Sequence, residues 1–213
     1  MTRSRRIGLL GGTLDPIHVG HLDAAEAARA ALSLDEVLVI PAHDPPHRAG
    51  EPHASAFHRF AMVSLAIDGR PGYRASDLEL RRDGPSYTAL TLRDLGARGL
   101  QASQLYFIIG ADAFAEIATW YEYPAILDAC QFALVARPGT TIEEALARTP
   151  DLRNRVGQTI HLVPAKTSPA SSSGIRARLA AGDAVDGLVP PAVGRHISTH
   201  QLYRTVNELH GQD

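Results

Sequence analysis

Two histidines, His18 and His21, are the side chains of this sequence best placed for chemistry. They belong to the segment GGTLDPIHVGHL (residues 11–22), which follows a short apolar run, Ile7 to Leu10, and precedes an alanine-rich run. A strand, a glycine turn and a helix start in this order bring backbone N–H groups and the positive end of a helix dipole together, which makes an anion site. The paired glycines allow a sharp turn and a close ligand approach. Because the histidines are three residues apart, they share a face of the helix start.

Other interpretations of this segment fit less well. Its glycines do not follow G-x-G-x-x-G, and a G-K-[ST] sequence is absent, so neither a dinucleotide fingerprint nor a P-loop is indicated. The pair H-x-x-H lacks both a third zinc ligand and the i, i+4 spacing of a zincin helix. Two ordinary polar residues at a helix start remain an alternative for the histidines alone. For the whole segment, this alternative requires that Gly-Gly, Asp-Pro and both histidines occur together by chance.

Two further segments offer groups that bind anions. The sequence SSSGIR at 171–176 predicts a second helix start with hydroxyls, backbone N–H groups and Arg176. The sequence PPHR at 45–48 is a stiff basic turn whose arginine suits a phosphate. Serine capping beside an exposed arginine explains the first equally well, and a rigid surface loop explains the second. From the residues alone these alternatives stay open.

Three other segments combine polar or aromatic groups with an equally plain structural role. The sequence GAD at 110–112 ends a buried strand, where Asp112 takes either a ribose diol or the cap of the next helix. The sequence PSYT at 85–88 opens a helix, where capping accounts for the hydroxyls as well as binding does. The segment 119–123 contains the only tryptophan, Trp120, which is either a core plug or a stacking platform.

Length and composition narrow the class of protein. A chain of 213 residues with 45% hydrophobic residues fits one α/β domain. Its net charge of -2 and 6% aromatic residues argue against nucleic-acid binding. The single cysteine, Cys130, excludes an internal disulfide framework. It lies in a predicted helix, and its side chain is expected in the hydrophobic core. The basic start is followed by too few apolar residues for a signal peptide, and no run approaches membrane-spanning length, so we expect a cytoplasmic protein without a membrane partner.

Apolar runs of strand length alternate with helical patterns along the chain. Strands are predicted at 7–10, 36–41, 73–80, 105–109, 131–136 and 159–163. Helices are predicted at 22–32, 55–68, 86–95, 113–130 with an interruption at Pro124, 140–148, 171–181 and 190–198. This alternation predicts an α/β fold with a doubly wound parallel sheet, helices on both faces and ligands beyond the carboxyl ends of the strands.

Within these elements, further details are predicted. Ser86 is expected to cap its helix, and the helix at 55–68 is expected to present an apolar face through Phe57, Phe60, Ala61, Ser64, Leu65 and Asp68. We predict a single domain over 1–213, with a core at 6–165, a small C-terminal helical part at 166–203 and a frayed tail at 204–213.

The segment at 11–21 resembles the signature of the H-x-G-H nucleotidyltransferase superfamily. Its wider form resembles G-G-[ST]-F-D-P-x-H-x-G-H of bacterial nicotinate-nucleotide adenylyltransferases, with Leu14 in place of Phe. The motifs described above follow in that family's order, so the resemblance covers residues 6–203. In the motif I-S-S-T-x-I-R, Ala170 replaces Ile and Ser173 replaces Thr, which keeps the hydroxyl. Near the end of the chain His196 stands where Tyr is common.

The resemblance implies a Rossmann-like fold and an enzyme of NAD biosynthesis. Such an enzyme transfers the adenylyl group of ATP to nicotinate mononucleotide and releases pyrophosphate, with Mg²⁺ carried by ATP and no metal site of its own. The implied catalytic residues are His18, His21 and Arg176. The implied ATP-binding residues are Gly11, Gly12, Thr13, Gly110, Asp112, Ser172 and Ser173. The implied residues for nicotinate mononucleotide are Asp15, His47, Arg48, Thr88, Trp120 and Tyr121, with Trp120 stacked on the pyridine ring.

Two alternatives to this function remain at the level of sequence. One is a sister nucleotidyltransferase that uses nicotinamide mononucleotide, phosphopantetheine or a choline-type phosphate as acceptor. The other is a nucleotide-sensing module that binds ATP without turnover. The expected partners, ATP and the acceptor, are small molecules. The sequence leaves the oligomeric state open, and a homo-oligomer is one of the possible states.

Overall fold

The computed structural model describes residues 4–46, 53–136 and 141–204. Its strands form one parallel sheet in the order β3-β2-β1-β4-β5-β6. The strands are β1 (Ile7–Gly12), β2 (Glu36–Pro41), β3 (Tyr73–Ala75), β4 (Leu105–Gly110), β5 (Gln131–Val135) and β6 (Ile160–Val163). This is the strand order of a doubly wound Rossmann-like sheet, so the predicted fold class is confirmed.

The central strands are aliphatic because helices cover the sheet on both faces. In β2, the run from Val37 to Ile40 is buried throughout. Successive side chains then join opposite cores: Leu38 packs on one side of the sheet and Val39 on the other. Each strand thereby contributes to two hydrophobic layers.

The helices divide between these two layers. They are α1 (Val19–Leu32), α2 (Ala56–Ile67), α3 (Thr88–Ala97), α4 (Ala111–Phe114), α5 (Ile142–Arg148), α6 (Ser172–Ala180) and α7 (Pro191–Thr199). Buried residues of α1, α2, α6 and α7 belong to one core, and those of α3, α4 and α5 belong to the other. The C-terminal helices therefore share the core of the sheet. Nowhere in the described ranges is a helix both long and apolar enough to cross a bilayer.

Two predicted elements are wrong in part. The edge strand predicted at 73–80 ends at Ala75, and the following residues form turns in which Arg81 N–H donates to the Asp77 carbonyl oxygen. The helix predicted over 113–130 is replaced by α4 and by 3-10 turns at Ile117–Thr119 and Ala125–Asp128. Between these turns Glu122 adopts a left-handed φ of 62°, which no helix accommodates.

The thiol of Cys130 lies in the core as predicted, although it follows a turn rather than lying in a helix. Burial raises the pKa of this thiol to about 12. The thiol is therefore protonated and unreactive at neutral pH.

The buried face of α2 is also different from the predicted one. Phe57, on the expected face, is 77% exposed, whereas Arg59 is 1% exposed. The stripe that faces the core is Arg59, Met62, Val63, Ala66 and Ile67. A charged side chain therefore occupies the first position of the apolar stripe.

Of the predicted frayed tail, residues 205–213 lie outside the described residues.

Candidate active site

A cavity of about 360 Å³ lies at the carboxyl ends of β1, β2 and β4, where the strand order reverses. Doubly wound sheets bind their ligands at this position. The chain segments that follow the three strands supply one part of the wall: Gly11, Gly12, Thr13, Ala42, Pro45, Pro46, Gly110 and Asp112. The described residues of the segments that follow β1, β2 and β4 therefore meet at one site, as expected for ligands beyond the carboxyl ends of the strands.

The two histidines of the first motif lie against each other at the start of α1. His18 is the N-cap residue in an extended conformation, and its backbone N–H donates to Nδ1 of His21 over 3.3 Å. The centroids of the two rings are 3.8 Å apart. His21 lines the cavity, whereas His18 is only 2% exposed and lies behind it. Because Nδ1 of His21 accepts a hydrogen bond, its neutral ring carries the proton on Nε2, which makes that atom a donor.

The second predicted anion site, at the start of α6, packs directly against the first. Ser171 caps this helix by accepting from the N–H of Gly174. The hydroxyl of Ser172 donates to the carbonyl oxygen of Pro16 over 3.0 Å, and Nη1 of Arg176 donates to that of Asp15 over 2.8 Å. Ser173 lies exposed in the same first turn. The positive ends of two helix dipoles therefore meet within one motif.

The turn before α6 needs a glycine in α1. A Cβ added to Gly20 would lie 3.0 Å from the carbonyl oxygen of Ser168 and 3.2 Å from the ring of His18. The carboxylate of Asp23 holds the same turn by accepting from the N–H of Ser168 over 2.9 Å. Glycine at position 20 thus permits the close contact between His18 and the chain that leads to Arg176.

Aromatic side chains form a further part of the cavity wall. Trp120 packs edge-to-face on Phe107, with ring centroids 5.7 Å apart, and both residues line the cavity. The ring of Tyr121 stacks on that of Tyr87 at 4.4 Å. The wall therefore offers faces and edges of rings to a planar ligand, and Trp120 is partly buried rather than a core plug.

The hydroxyl motifs occupy this wall in a different way from that predicted. Thr88 begins α3 and lines the cavity, but Ser86 does not cap the helix. Its hydroxyl oxygen instead accepts from the N–H groups of His43 and Asp44, at 2.8 Å and 3.3 Å. Ser86 thereby connects the start of α3 to the segment after β2. These hydrogen bonds use the oxygen that would otherwise cap the helix. Across the cavity, Gly110 is the N-cap of α4, so Asp112 is left exposed in the wall instead of capping that helix.

Comparisons with known proteins agree with this arrangement. The Cytidylyltransferase-like family matches residues 9–178. A probable nicotinate-nucleotide adenylyltransferase of Thermoanaerobacter sp. (strain X514) is 38% identical over 211 residues, which cover 98% of this chain and 99% of the relative. A protein of the same name from Roseiflexus sp. (strain RS-1) is 41% identical over 201 residues, 94% of this chain and 99% of the relative.

The chain belongs to the nicotinate-nucleotide adenylyltransferase family.

Solved structures support the fold assignment. The nicotinic acid mononucleotide adenylyltransferase of Plasmodium falciparum complexed with NaAD has a TM-score of 0.70 at 19% identity and covers 94% of this chain and 98% of its own. The same protein complexed with APC has a TM-score of 0.71 at 20% identity, with the same coverage. At this level of identity the likeness concerns the fold alone.

Within this adenylyltransferase fold, Asp15 has a different position from the one its motif implied. Its side chain is fully buried and is not part of the cavity wall. The carboxylate accepts from the N–H groups of His53 (2.9 Å) and Ala54 (3.1 Å) and from the hydroxyl of Tyr203 (2.7 Å). Burial and the adjacent carboxylate raise the pKa of Tyr203. The carboxylate of Asp15 therefore anchors chain segments, and its implied contact with the mononucleotide stays a prediction.

Arg59 is a functional residue that the sequence analysis missed. Its guanidinium donates to the carbonyl oxygens of Thr13 (2.9 Å), Ala54 (3.1 Å) and His43 (3.3 Å), and to that of Ala42. Thr13 and Ala42 line the cavity, so this buried cation holds two of its walls together. The available signal was its spacing from Met62, Val63 and Ala66, which puts an arginine in an apolar helical stripe.

Glu79 is a second residue that the sequence analysis missed. It lines the cavity, is 6% exposed and accepts a 2.6 Å hydrogen bond from the hydroxyl of Thr91. Burial raises the pKa of its carboxyl, although the hydrogen bond from Thr91 opposes this effect. No sequence pattern pointed to this residue, which was assigned to the extended edge strand.

The cavity wall fits a cation that arrives with a nucleotide better than a resident metal ion. Among the described residues, its carboxylates are those of Asp112, which is exposed, and Glu79, which is engaged with Thr91. Two such groups do not form a cage for Mg²⁺, which then keeps most of its ligands from phosphate and water. His47 and Arg48, which are predicted to bind nicotinate mononucleotide, lie outside the described residues.

Proposed function

We propose that this protein transfers the adenylyl group of ATP to nicotinate mononucleotide. An oxygen of the mononucleotide phosphate attacks the α-phosphorus of ATP, the bond to the bridging oxygen of the β-phosphate breaks, and pyrophosphate leaves. The product is nicotinate adenine dinucleotide. The attacking phosphate is already ionised near neutral pH, so the reaction needs positioning and charge neutralisation rather than a general base.

The observation that carries this proposal is the direct contact between the two helix starts. Ser172 and Arg176 of α6 bond to the backbone of residues 15–16, two residues before His18. The first helix start supplies Thr13 and His21 to the cavity wall, and the start of α6 packs against the same turn without lining the cavity. Aromatic rings form another part of that wall. Anion-binding groups at helix starts suit a triphosphate, and aromatic rings suit the pyridine ring of the mononucleotide.

Each part of the site then has a role in the proposal. His18, His21 and Arg176 act on the reacting phosphates, and Arg176 has five N–H donors, so its bond to Asp15 is compatible with a phosphate contact. ATP is bound by Gly11, Gly12, Thr13, Gly110, Asp112, Ser172 and Ser173. Nicotinate mononucleotide is bound by Thr88, Trp120, Tyr121, His47 and Arg48. Mg²⁺ is proposed to enter with ATP and to neutralise phosphate charge.

One assay tests the reaction and its acceptor together. Pyrophosphate release and dinucleotide formation are measured with ATP and, in parallel, nicotinate mononucleotide, nicotinamide mononucleotide or phosphopantetheine. We expect the highest kcat/KM with nicotinate mononucleotide. A higher value with another acceptor would indicate a sister nucleotidyltransferase, and ATP binding without pyrophosphate release would indicate a sensing module.

The variant His21→Ala tests the phosphate-binding role of the motif. Because His21 reaches the cavity from the helix surface, we expect kcat to fall about 100-fold or more while the thermal midpoint changes little. His161→Gln is the matched control, since His161 lies on β6 and bonds to Gln131 outside the cavity. A turnover in His21→Ala equal to that of the control would remove the histidine from the mechanism.

A further inference from the structure

Three histidines outside the cavity come together where α2 meets α7. His58 is the third residue of α2, and His196 and His200 lie four residues apart at the end of α7. Nδ1 of His58 is 3.1 Å from Nε2 of His196, and one nitrogen from each of the three rings lies within 4.8 Å of the others. The ring centroids are 4.4 Å to 5.3 Å apart. Residues from two helices thus direct ring nitrogens toward one point.

This geometry is close to that of a bound metal ion. Imidazole nitrogens bind Zn²⁺ at about 2.0–2.1 Å, so neighbouring ligands of a tetrahedral ion are roughly 3.3 Å apart. The separation of 3.1 Å between the nitrogens of His58 and His196 already fits. The nitrogen of His200 lies within 4.8 Å of these two, so it would have to approach by at most about 1.5 Å, and its ring is exposed.

We propose that His58, His196 and His200 bind one divalent transition-metal ion, with Zn²⁺ as the expected occupant. Three imidazoles suit this class of cation, whereas Mg²⁺ and Ca²⁺ prefer oxygen ligands. Since His200 lies on the surface, water or another small ligand completes the coordination. The site is separate from the cavity, because none of the three histidines belongs to the cavity wall.

A metal ion at this site would connect the two helices next to Arg59 and Tyr203, which both bond to the first motif. Arg59 follows His58 and bonds to the carbonyl oxygen of Thr13. Tyr203 follows His200 by three residues and bonds to the carboxylate of Asp15. An ion that joins α2 to α7 therefore stabilises both contacts with the turn that leads to His18, and its binding energy adds to the stability of the folded chain.

The test uses the untagged full-length protein after treatment with EDTA and removal of the chelator. Equilibrium dialysis against Zn²⁺ is expected to give one ion per chain, and Co²⁺ is expected to show the visible d–d absorption of a four-coordinate site. Free Zn²⁺ at 100 times its dissociation constant is expected to raise the thermal midpoint by about 6 °C. Failure of the protein to bind either ion would overturn the proposal.

Variants separate this site from other histidines. His200→Ala, which changes an exposed side chain, is expected to weaken Zn²⁺ binding at least tenfold. At the same free Zn²⁺ concentration its thermal shift should then be about 3 °C or less, while its midpoint without metal stays close to that of the unchanged chain. His161→Gln and His21→Ala are expected to keep the bound ion. If His200→Ala binds Zn²⁺ as tightly as the unchanged chain, or if His21→Ala loses the ion, the assignment is wrong.

Discussion

The substitution Arg59→Met tests how much the walls of the cavity depend on one buried cation. Methionine keeps most of the apolar volume but removes all donors to four backbone carbonyl oxygens. Two of those carbonyls belong to buried residues, Ala42 at 5% and Ala54 at 1% exposure, and water cannot replace the lost donors there without a rearrangement. A buried polar group left unsatisfied costs about 1–3 kcal/mol, so we expect a loss of about 2–6 kcal/mol in the free energy of unfolding.

This loss is large enough to measure by thermal unfolding. A chain of 213 residues has an unfolding entropy of roughly 0.45 kcal/mol/K, so the midpoint of Arg59→Met should fall by about 4–13 °C. The value of kcat/KM should fall as well, because Thr13 and Ala42 line the cavity and would lose their common anchor. Differential scanning calorimetry and the pyrophosphate assay measure the two effects on the same preparation.

Arg81→Met provides the matched control. Arg81 is 76% exposed at its side chain and forms an ion pair with Asp77. An exposed pair of this kind contributes at most about 1 kcal/mol, so the midpoint should fall by less than about 2 °C. If Arg59→Met and Arg81→Met gave the same midpoint and the same kinetics, the anchoring role of Arg59 would be refuted.

Three other expected outcomes follow from single contacts. Tyr203→Phe removes the hydroxyl that donates to Asp15, which should cost about 1.5–3 kcal/mol and lower the thermal midpoint by about 3–7 °C; an unchanged midpoint would contradict this. Trp120→Ala should raise the KM for nicotinate mononucleotide about tenfold and leave the KM for ATP nearly unchanged, whereas a selective rise for ATP would reverse the assignment of the aromatic wall. Because burial raises the pKa of Cys130 to about 12, only about one thiol in 10⁴ is ionised at pH 8, and this fraction rises only as the pH approaches the pKa. Iodoacetamide should therefore modify Cys130 only after denaturation. Rapid labelling of the folded chain would show that the thiol is accessible.

The sheet could be predicted from the sequence because the central strands are short apolar runs with turns at both ends. The run from Val37 to Ile40 has no other stable position than a strand covered on both faces. Since the carboxyl ends of parallel strands share one edge, the polar segments after β1, β2 and β4 could also be assigned to a common site. The cavity lies at that edge.

The run 113–130 could not be predicted, because its outcome depends on tertiary contacts. The spacing of its apolar residues Ile117, Ile126 and Leu127 suits a helix, but these side chains are buried from two short 3-10 turns. Likewise, α2 has two apolar stripes in its sequence, and the stripe with Phe57 is the more obvious. The core selected the other stripe, which contains Arg59, because the guanidinium has backbone partners that no side-chain pattern displays.

Those backbone partners explain why charged residues are buried next to this cavity. The described residues between β2 and α2, 42–46 and 53–55, belong to no helix or strand, yet their polar groups need partners where they are buried. Arg59 supplies donors to the carbonyl oxygens of Ala42, His43 and Ala54.

Asp15 supplies acceptors to the N–H groups of His53 and Ala54 in the same segment. One anion and one cation thus anchor residues 42–43 and 53–54, which are described on either side of residues 47–52. Both are bound to the turn that leads to His18, Arg59 through the carbonyl oxygen of Thr13 and Asp15 as part of the turn itself. A ligand that contacts the turn before His18 and residues 42–46 would therefore meet groups whose separation is set before it binds, which lowers the entropy that positioning costs.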